Sequence, residues 1–304
     1  MKIVFAGTPE VGAIALRELA KKHEVVLVIT RPDAPVGRKR VLTPSPVASA
    51  AQELGLTVMK SSKVAAAEIA AIEEAQAELG VIVAYGALLG TAALGTIPWW
   101  NLHFSLLPQF RGATPLQHSI LHGTGQGITV FRLDSGMDTG EILAAAQMSY
   151  PTDQTAGDLL PALGLKGASM ILDLIAEPAK GVPQEGLASS APKLTRSDAR
   201  LDFAATAESL GRMVMAMNPE PMAWCEFGGE PLRVLRASAV GSVDWSALGG
   251  LATTVGQVES SGEKVLVTCG EGTRLELIEV QPSGKRVMSA QDWFRGQQGG
   301  IRLD

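Results

Sequence analysis

The stretch Lys2-Ile3-Val4-Phe5-Ala6-Gly7-Thr8-Pro9-Glu10 opens the chain, and its reading decides the fold. Residues 2–6 are mostly apolar with little alternation, as a strand covered on both faces requires. Gly7-Thr8-Pro9-Glu10 then starts a helix: Thr8 can cap it, Pro9 suits its first turn, and Glu10 complements the positive end of the helix dipole. This helix runs to about Lys22 with Ile14, Leu16 and Leu19 facing inward, and Val25–Ile29 is a second strand. Strand, helix and strand in that order predict an α/β fold with a doubly wound, mostly parallel sheet. Gly7-Thr8-Pro9 is not the Gly-x-Gly-x-x-Gly of dinucleotide sites, which weighs against a nicotinamide enzyme.

Further strands are expected at Thr57–Met59, Leu79–Ala84, Trp100–Ser105 and Ile128–Leu133, with Glu141–Met148 as an antiparallel partner. Helices are expected near Ala65–Glu78 and from Thr155 to Ile175. The composition then shifts: Pro178, Gly181, Pro183, Gly186 and Pro192 mark a linker over 177–203. Beyond it come a helix, Ala204–Met217, and five short strands at Met222–Phe227, Leu232–Ala237, Thr254–Glu259, Lys264–Thr268 and Arg274–Val280. One helix and five short strands suggest a small β-barrel, for which the oligonucleotide-binding barrel is one model. The expected organisation is a first domain over 1–176 and a barrel domain over 204–304.

The 304 residues suffice for two such domains, and 46 % hydrophobic with 19 % charged residues is an ordinary globular balance. No apolar run approaches the roughly 18 residues that a membrane span needs, and the N-terminal stretch is too short for a signal peptide. Cys225 and Cys269 supply neither a disulfide framework nor metal spacing, so a reducing cytoplasm is the expected compartment. A net charge of −5 argues mildly against a nucleic-acid partner. Charge averages over faces, however, and residues 31–40 set Arg31, Arg38, Lys39 and Arg40 against Asp33 alone.

The residues that suggest chemistry lie at Asn101-Leu102-His103-Phe104-Ser105-Leu106-Leu107-Pro108 and, about thirty residues on, at Asp134-Ser135-Gly136-Met137-Asp138-Thr139-Gly140. On an extended strand Asn101, His103 and Ser105 share one face, while Leu102 and Phe104 turn to the core. Amide, imidazole and carboxylate form a working set for acyl transfer: a donor for a developing oxyanion, a proton carrier and a group that orients it. The same residues also suit a structural hydrogen-bonded pair beside an ordinary Asp-rich turn, and spacing alone does not choose. His118 and His122 sit four apart on one helical face with no third ligand at fitting spacing, so no metal is expected. The connection from Thr30 to Pro46 holds four prolines and the basic run. Its length marks it as functional or mobile, with a solvated charged face as the plainer reading.

Longer identity chooses between these readings. Asn101 to Pro115 (NLHFSLLPQFRGATP) and Leu133 to Gly140 (LDSGMDTG) closely resemble the signatures of the folate-dependent formyltransferases. Phe5-Ala6-Gly7-Thr8-Pro9, Arg31-Pro32-Asp33, Pro44-Ser45-Pro46, Val83-Ala84-Tyr85-Gly86, Asn218-Pro219 with Trp224, and Gln281 to Asp292 resemble the branch that formylates methionyl-tRNA. The resemblance implies 10-formyltetrahydrofolate as donor, initiator methionyl-tRNA as acceptor, and a cytoplasmic monomer. It implies catalytic roles for Asn101, His103 and Asp138, with Asp134 a turn residue. Folate contacts fall on Tyr85, Gly86, Ala87 and Leu88 and on Ser105, Leu106, Leu107 and Pro108. The tRNA contacts fall on Arg38, Lys39 and Arg40, joined by Lys285 and Arg286 on an exposed glycine turn. Phe104 stands where many members have glycine; strand alternation predicts that its ring turns away from the catalytic face. A sugar nucleotide or another small amine is the alternative acceptor, although a small acceptor needs neither the second domain nor the basic loop.

Overall fold

The computed structural model describes residues 1–37, 39–241, 254–298 and 300–304. Two units emerge, one of Met1–Pro115, Gly125–Ser149 and Leu160–Pro192, the other of Leu116–Thr124, Tyr150–Leu159 and Lys193–Asp304.

The first unit begins with β1 (Lys2–Gly7), α1 (Glu10–Ala20) and β2 (Glu24–Thr30). A short hairpin, β3 (Ala34–Val36) and β4 (Val41–Thr43), precedes α2 (Pro46–Glu53) and β5 (Val58–Lys60). After these come α3 (Ala66–Glu74), β6 (Leu79–Val83), α4 (Thr91–Leu94) and β7 (Trp99–His103). The chain continues through β8 (Arg111–Gly112), α5 (Pro115–His122, which belongs to the second unit after its first residue), β9 (Gly127–Arg132), β10 (Ile142–Gln147), α6 (Ala156–Ala176, of the first unit from Leu160 on) and β11 (Ser190–Ala191). The main sheet has the order β10-β9-β7-β6-β1-β2-β5. β1 is parallel to both β2 and β6, β6 is parallel to β7, and only β9 and β10 run antiparallel. This is the doubly wound, mostly parallel sheet that the opening stretch implies. Strands covered on both faces must be apolar, and Ile3 to Ala6 are accordingly fully buried. On one face Val4, Ala6, Leu27, Ile29, Ile82 and Trp99 form one cluster, where each large buried side chain contributes about 1.5–3 kcal/mol.

Several local expectations change. Thr8 does not cap α1; its hydroxyl instead donates to the Tyr85 carbonyl at 2.9 Å. Ser45 caps α2, accepting from the Ala48 N–H. The long connection after β2 folds as the β3–β4 hairpin, with Lys39 and Arg40 exposed at its turn, while Arg38 lies outside the described residues. Helix α6, at 21 residues, is long and apolar enough by length and composition to cross a membrane, contrary to the expectation of no such run. Its small residues have a packing reason: Gly164 faces Val11 with room for no Cβ (2.9 Å), and Gly167 lies against Leu102. The stretch expected as a linker is no free tether. Residues up to 192 belong to the first unit and pair with it, whereas 193–203 belong to the second.

In the second unit α7 (Ala207–Met217) lies beside an antiparallel sheet. Its strands are β12 (Trp224–Phe227), β13 (Glu230–Val240), β14 (Gln257–Ser261), β15 (Lys264–Thr268), β16 (Arg274–Pro282), β17 (Met288–Ser289) and β18 (Ile301–Arg302), with helix α8 (Ala290–Arg295) between the last two. The order β12-β13-β16-β15-β14-β18 closes on itself: Glu226 in β12 and Asp304 just after β18 exchange two backbone hydrogen bonds, 2.9 and 3.1 Å. Closure removes the exposed edges that an open sheet would present.

Candidate active site

In open α/β sheets ligands bind beyond the carboxyl ends of the strands. Here the carboxyl ends of β6 and β7 open onto a cavity of about 440 Å³. Asn101, His103 and Asp138 line it, together with Tyr85, Gly86, Ala87, Leu88, Phe104, Gly112 and Met137. A second hollow of about 350 Å³ adjoins it, sharing Asn101, Asp138, Ile82, Ala87, Leu88 and Met137 and adding Leu94, Leu133 and Asp134. The amide of Asn101 thus stands on a wall common to both.

His103 is almost wholly buried, its side chain 4 % exposed. Its Nε2 lies 2.9 Å from the Phe110 carbonyl oxygen. A carbonyl only accepts, so Nε2 carries the proton and, in the neutral ring, Nδ1 keeps its lone pair. Nδ1 faces Oδ2 of Asp138 at 3.7 Å, too far for a hydrogen bond and close enough for strong charge coupling. Burial pushes the imidazole below the ordinary histidine range, the Asp138 carboxylate and the Phe110 carbonyl opposing that shift. The resting site therefore holds a neutral base beside a carboxylate. A proton arriving at Nδ1 finds its counter-charge in place.

Asp138 sits in the left-handed region (φ 52°), and its Oδ2 accepts the Gly112 N–H at 2.8 Å. Gly112 has φ 131°, and a Cβ there would meet the Ala191 carbonyl at 2.6 Å, so only glycine brings this N–H to the carboxylate. Asp134 accepts from the Gly136 N–H and the Thr139 hydroxyl, forming the turn that presents Asp138.

The structure separates the other sequence candidates. Tyr85, Gly86, Ala87 and Leu88 all line the cavity, and Arg31 donates to the Gly86 carbonyl at 2.9 Å. Ser105, Leu106, Leu107 and Pro108 do not line either hollow. β7 ends at His103, two residues before the expected end, so strand alternation no longer governs the residues after it. Ser105 is accordingly buried away from the cavity with its hydroxyl donating to the Gln109 carbonyl, and Phe104, itself a buried core residue, also borders the cavity. Residues 105–109 build the turn that returns the Phe110 carbonyl to His103: Leu106 N–H donates to the Gly125 carbonyl, and Leu107 N–H donates to the Thr129 hydroxyl. Lys285 and Arg286 are exposed beyond the Gly284 turn, as Lys39 and Arg40 are on the hairpin. Sequence reasoning missed Gly112 and Gln184. Gln184 donates to the carbonyls of both Asp138 and Gly140 (2.9 and 2.8 Å) from within the expected linker.

Residues 1–173 match the model of the formyl transferase family and residues 193–298 that of the formyl transferase C-terminal domain. The chain belongs to the formyl transferase family. Within that family it is 42 % identical to the methionyl-tRNA formyltransferase of Leifsonia xyli subsp. xyli over 98 % of each chain. It is 44 % identical to the enzyme of the same name from Arthrobacter sp. (strain FB24), over 98 % of this chain and 97 % of that one. Among solved structures, methionyl-tRNA formyltransferase from Clostridium thermocellum shares the formyl transferase fold at a TM-score of 0.60 and 16 % identity, covering 80 % of this chain and 95 % of that chain. The N-formyltransferase of Helicobacter canadensis, solved with folinic acid and dTDP-3-aminofucose, matches at a TM-score of 0.64 and 17 % identity, covering 93 % and 99 %. The formyl transferase identity makes the chain a group-transfer enzyme.

Proposed function

We propose that this enzyme moves the formyl group of 10-formyltetrahydrofolate to the α-amino group of initiator methionyl-tRNA. The observation that carries this reading is the convergence of Asn101, His103 and Asp138 on one cavity in a chain with full-length relatives of that name. The donor supplies an activated formyl group on a nitrogen that can leave as an amine. Two adjoining hollows with apolar walls and main-chain groups at 85–88 suit a flat heteroaromatic ring next to a second reactant.

Each residue then has a task. The Asn101 amide, which never ionises, donates to the formyl oxygen as negative charge builds there. The attacking amine gives up one proton as its bond to the formyl carbon forms, and the neutral Nδ1 of His103 receives it. Asp138 stabilises the resulting imidazolium, and the same proton passes to the departing nitrogen as its bond to carbon breaks. No proton is gained or lost over the cycle, so His103 returns to its neutral state. Lys39 and Arg40 on the hairpin, with Arg38, and Lys285 and Arg286 in the second unit serve as contacts for RNA phosphates. The enzyme works as a monomer in the cytoplasm, where charged initiator tRNA is found.

Acceptor choice tests this reading. With 10-formyltetrahydrofolate as donor, charged initiator tRNA yields formyl-methionine, and an amino-sugar nucleotide at equal concentration yields no product above background. Formylation of the sugar nucleotide alone transfers the assignment to a small-molecule acceptor.

A further inference from the structure

The segment 182–191, read from composition as a tether, makes hydrogen bonds that converge on the two members of the proton-carrying pair. Val182 exchanges two backbone hydrogen bonds with Ile142, just beyond the turn that bears Asp138 (2.8 and 2.9 Å). The Gln184 amide donates both hydrogens to that turn, at the Asp138 and Gly140 carbonyls. Its Oε1 accepts Nε and Nη2 of Arg111, at 3.1 and 2.7 Å. Five residues on, the Ser189 hydroxyl accepts the Phe110 N–H at 2.9 Å, and the Ser189 carbonyl accepts the Arg111 N–H at 2.8 Å. Ala191 then pairs beside Gly112, whose N–H holds the Asp138 carboxylate.

The residues held in this way have unusual backbone. Phe110 (φ 61°) and Asp138 (φ 52°) are both non-glycine residues in the left-handed region. Such conformations cost of order 1–3 kcal/mol and persist only where their surroundings over-determine them. Phe110 supplies the carbonyl that fixes the proton on Nε2 of His103, and Asp138 supplies the carboxylate that faces Nδ1. One strap thus sets both the tautomer of the base and the position of its counter-charge. Among the described residues nothing from 182 to 191 lines the reaction cavity, so its action is indirect.

We propose that Gln184 and Ser189 are positioning residues: through the Asp138 turn and the Phe110 backbone they hold His103 in its Nε2–H form with the carboxylate opposite Nδ1. The inference rests on the proton-carrier role given to His103 above. Without the Gln184 amide two turn carbonyls lose their donors, Asp138 relaxes and its carboxylate leaves Nδ1. Without the Ser189 hydroxyl the Phe110 N–H loses this acceptor, and the left-handed backbone that aims the Phe110 carbonyl at Nε2 loosens even though the Arg111 N–H keeps the Ser189 carbonyl.

The test compares Gln184→Met, which keeps length and loses every polar atom, with Ser189→Ala and Ser189→Thr. Steady-state formylation over pH 5–9 is read beside the ¹⁵N histidine spectrum and the thermal midpoint. The expected result for Gln184→Met and Ser189→Ala is a fall in kcat of about 10- to 100-fold, the scale of a reacting group displaced by about 1 Å. KM for both substrates should stay near the wild-type value. In Gln184→Met the acid limb of kcat moves to lower pH as the imidazolium loses its partner. In Ser189→Ala the His103 signal shows the two tautomers mixed, and Ser189→Thr, which keeps the hydroxyl, restores both readouts. A merely structural role would lower the thermal midpoint and leave the acid limb and tautomer as in wild type. That outcome in folded variants overturns the proposal, as does unchanged kcat. Should Gln184→Met not fold, Ser189→Ala, which loses one hydrogen bond, decides the question alone. Absence of formyl transfer by the wild-type protein would sink the reading of the site and leave the spectroscopic test of the strap intact.

Discussion

Replacing Asp138 by asparagine removes one charge and almost no volume. The side-chain oxygen can still accept the Gly112 N–H, so the turn at 134–140 should keep its shape. What changes is the field at Nδ1 of His103, 3.7 Å from the carboxylate. At an effective dielectric of about 20, a unit charge at that distance from the imidazolium is worth about 4 kcal/mol. If the proton is fully on His103 at the transition state, kcat falls about a thousandfold, since each 1.4 kcal/mol or so is a factor of ten. If it is half transferred, the same arithmetic gives about 30-fold. The acid limb moves as well. Burial already lowers the His103 pKa, and loss of the opposing carboxylate lowers it further, so the variant's acid limb lies below that of the wild type. Formylation of charged initiator tRNA at saturating donor, followed across pH 5–9, measures both effects. An Asp138→Asn enzyme within about threefold of wild type at every pH would refute the electrostatic reasoning.

Three further outcomes are expected. Asn101→Ala removes an oxyanion donor and should cost roughly 10²–10³ in kcat with the thermal midpoint unchanged; full activity would end that assignment. Neutralising Arg38, Lys39 and Arg40 together should raise KM for tRNA and flatten the fall of affinity with salt, while KM for the donor stays constant. In the second unit, burial works against the Asp158 carboxylate, but hydrogen bonds from Thr155 and the nearby Arg236 guanidinium hold its pKa below the ordinary range. A depressed carboxylate stabilises the fold above its unfolded pKa, about 3.9, and that contribution is lost as pH falls through the lower folded value. Arg236→Ala should therefore lower the thermal midpoint at pH 7, with a deficit that narrows as pH falls through the folded value of Asp158; a deficit independent of pH would point to packing instead.

The sheet was legible because its strands carry the pattern of their own burial: β1 lies inside the sheet between β2 and β6, and Ile3 to Ala6, buried on both faces, are apolar throughout. Asn101 and His103 were legible as a pair because they fall within β7, where alternation holds. Ser105 was misjudged at the point where that strand ends, since a turn obeys no period of two. Gln184 and Ser189 left no mark because what they bind is backbone. An amide that donates to two carbonyls 46 and 44 residues away imposes no spacing and needs no partner of a particular type. The prolines, glycines and serines around them, which suggest a linker, are also what a chain needs to follow an irregular surface. The hairpin β3–β4 escaped for a related reason, since it pairs only with itself and all of its strand residues are exposed.

The central claim concerns one ring: a buried imidazole kept neutral, its proton on Nε2 and its lone pair on Nδ1 opposite Asp138. The chain has four histidines, so the His103 signals in a ¹⁵N-histidine spectrum can be assigned by comparison with a His103 variant. At neutral pH the account predicts a protonated Nε2 and an unprotonated Nδ1, with titration only at a pH below the ordinary histidine value of about 6.5. A proton on Nδ1 at neutral pH, or a His103 that titrates above that value, would contradict it.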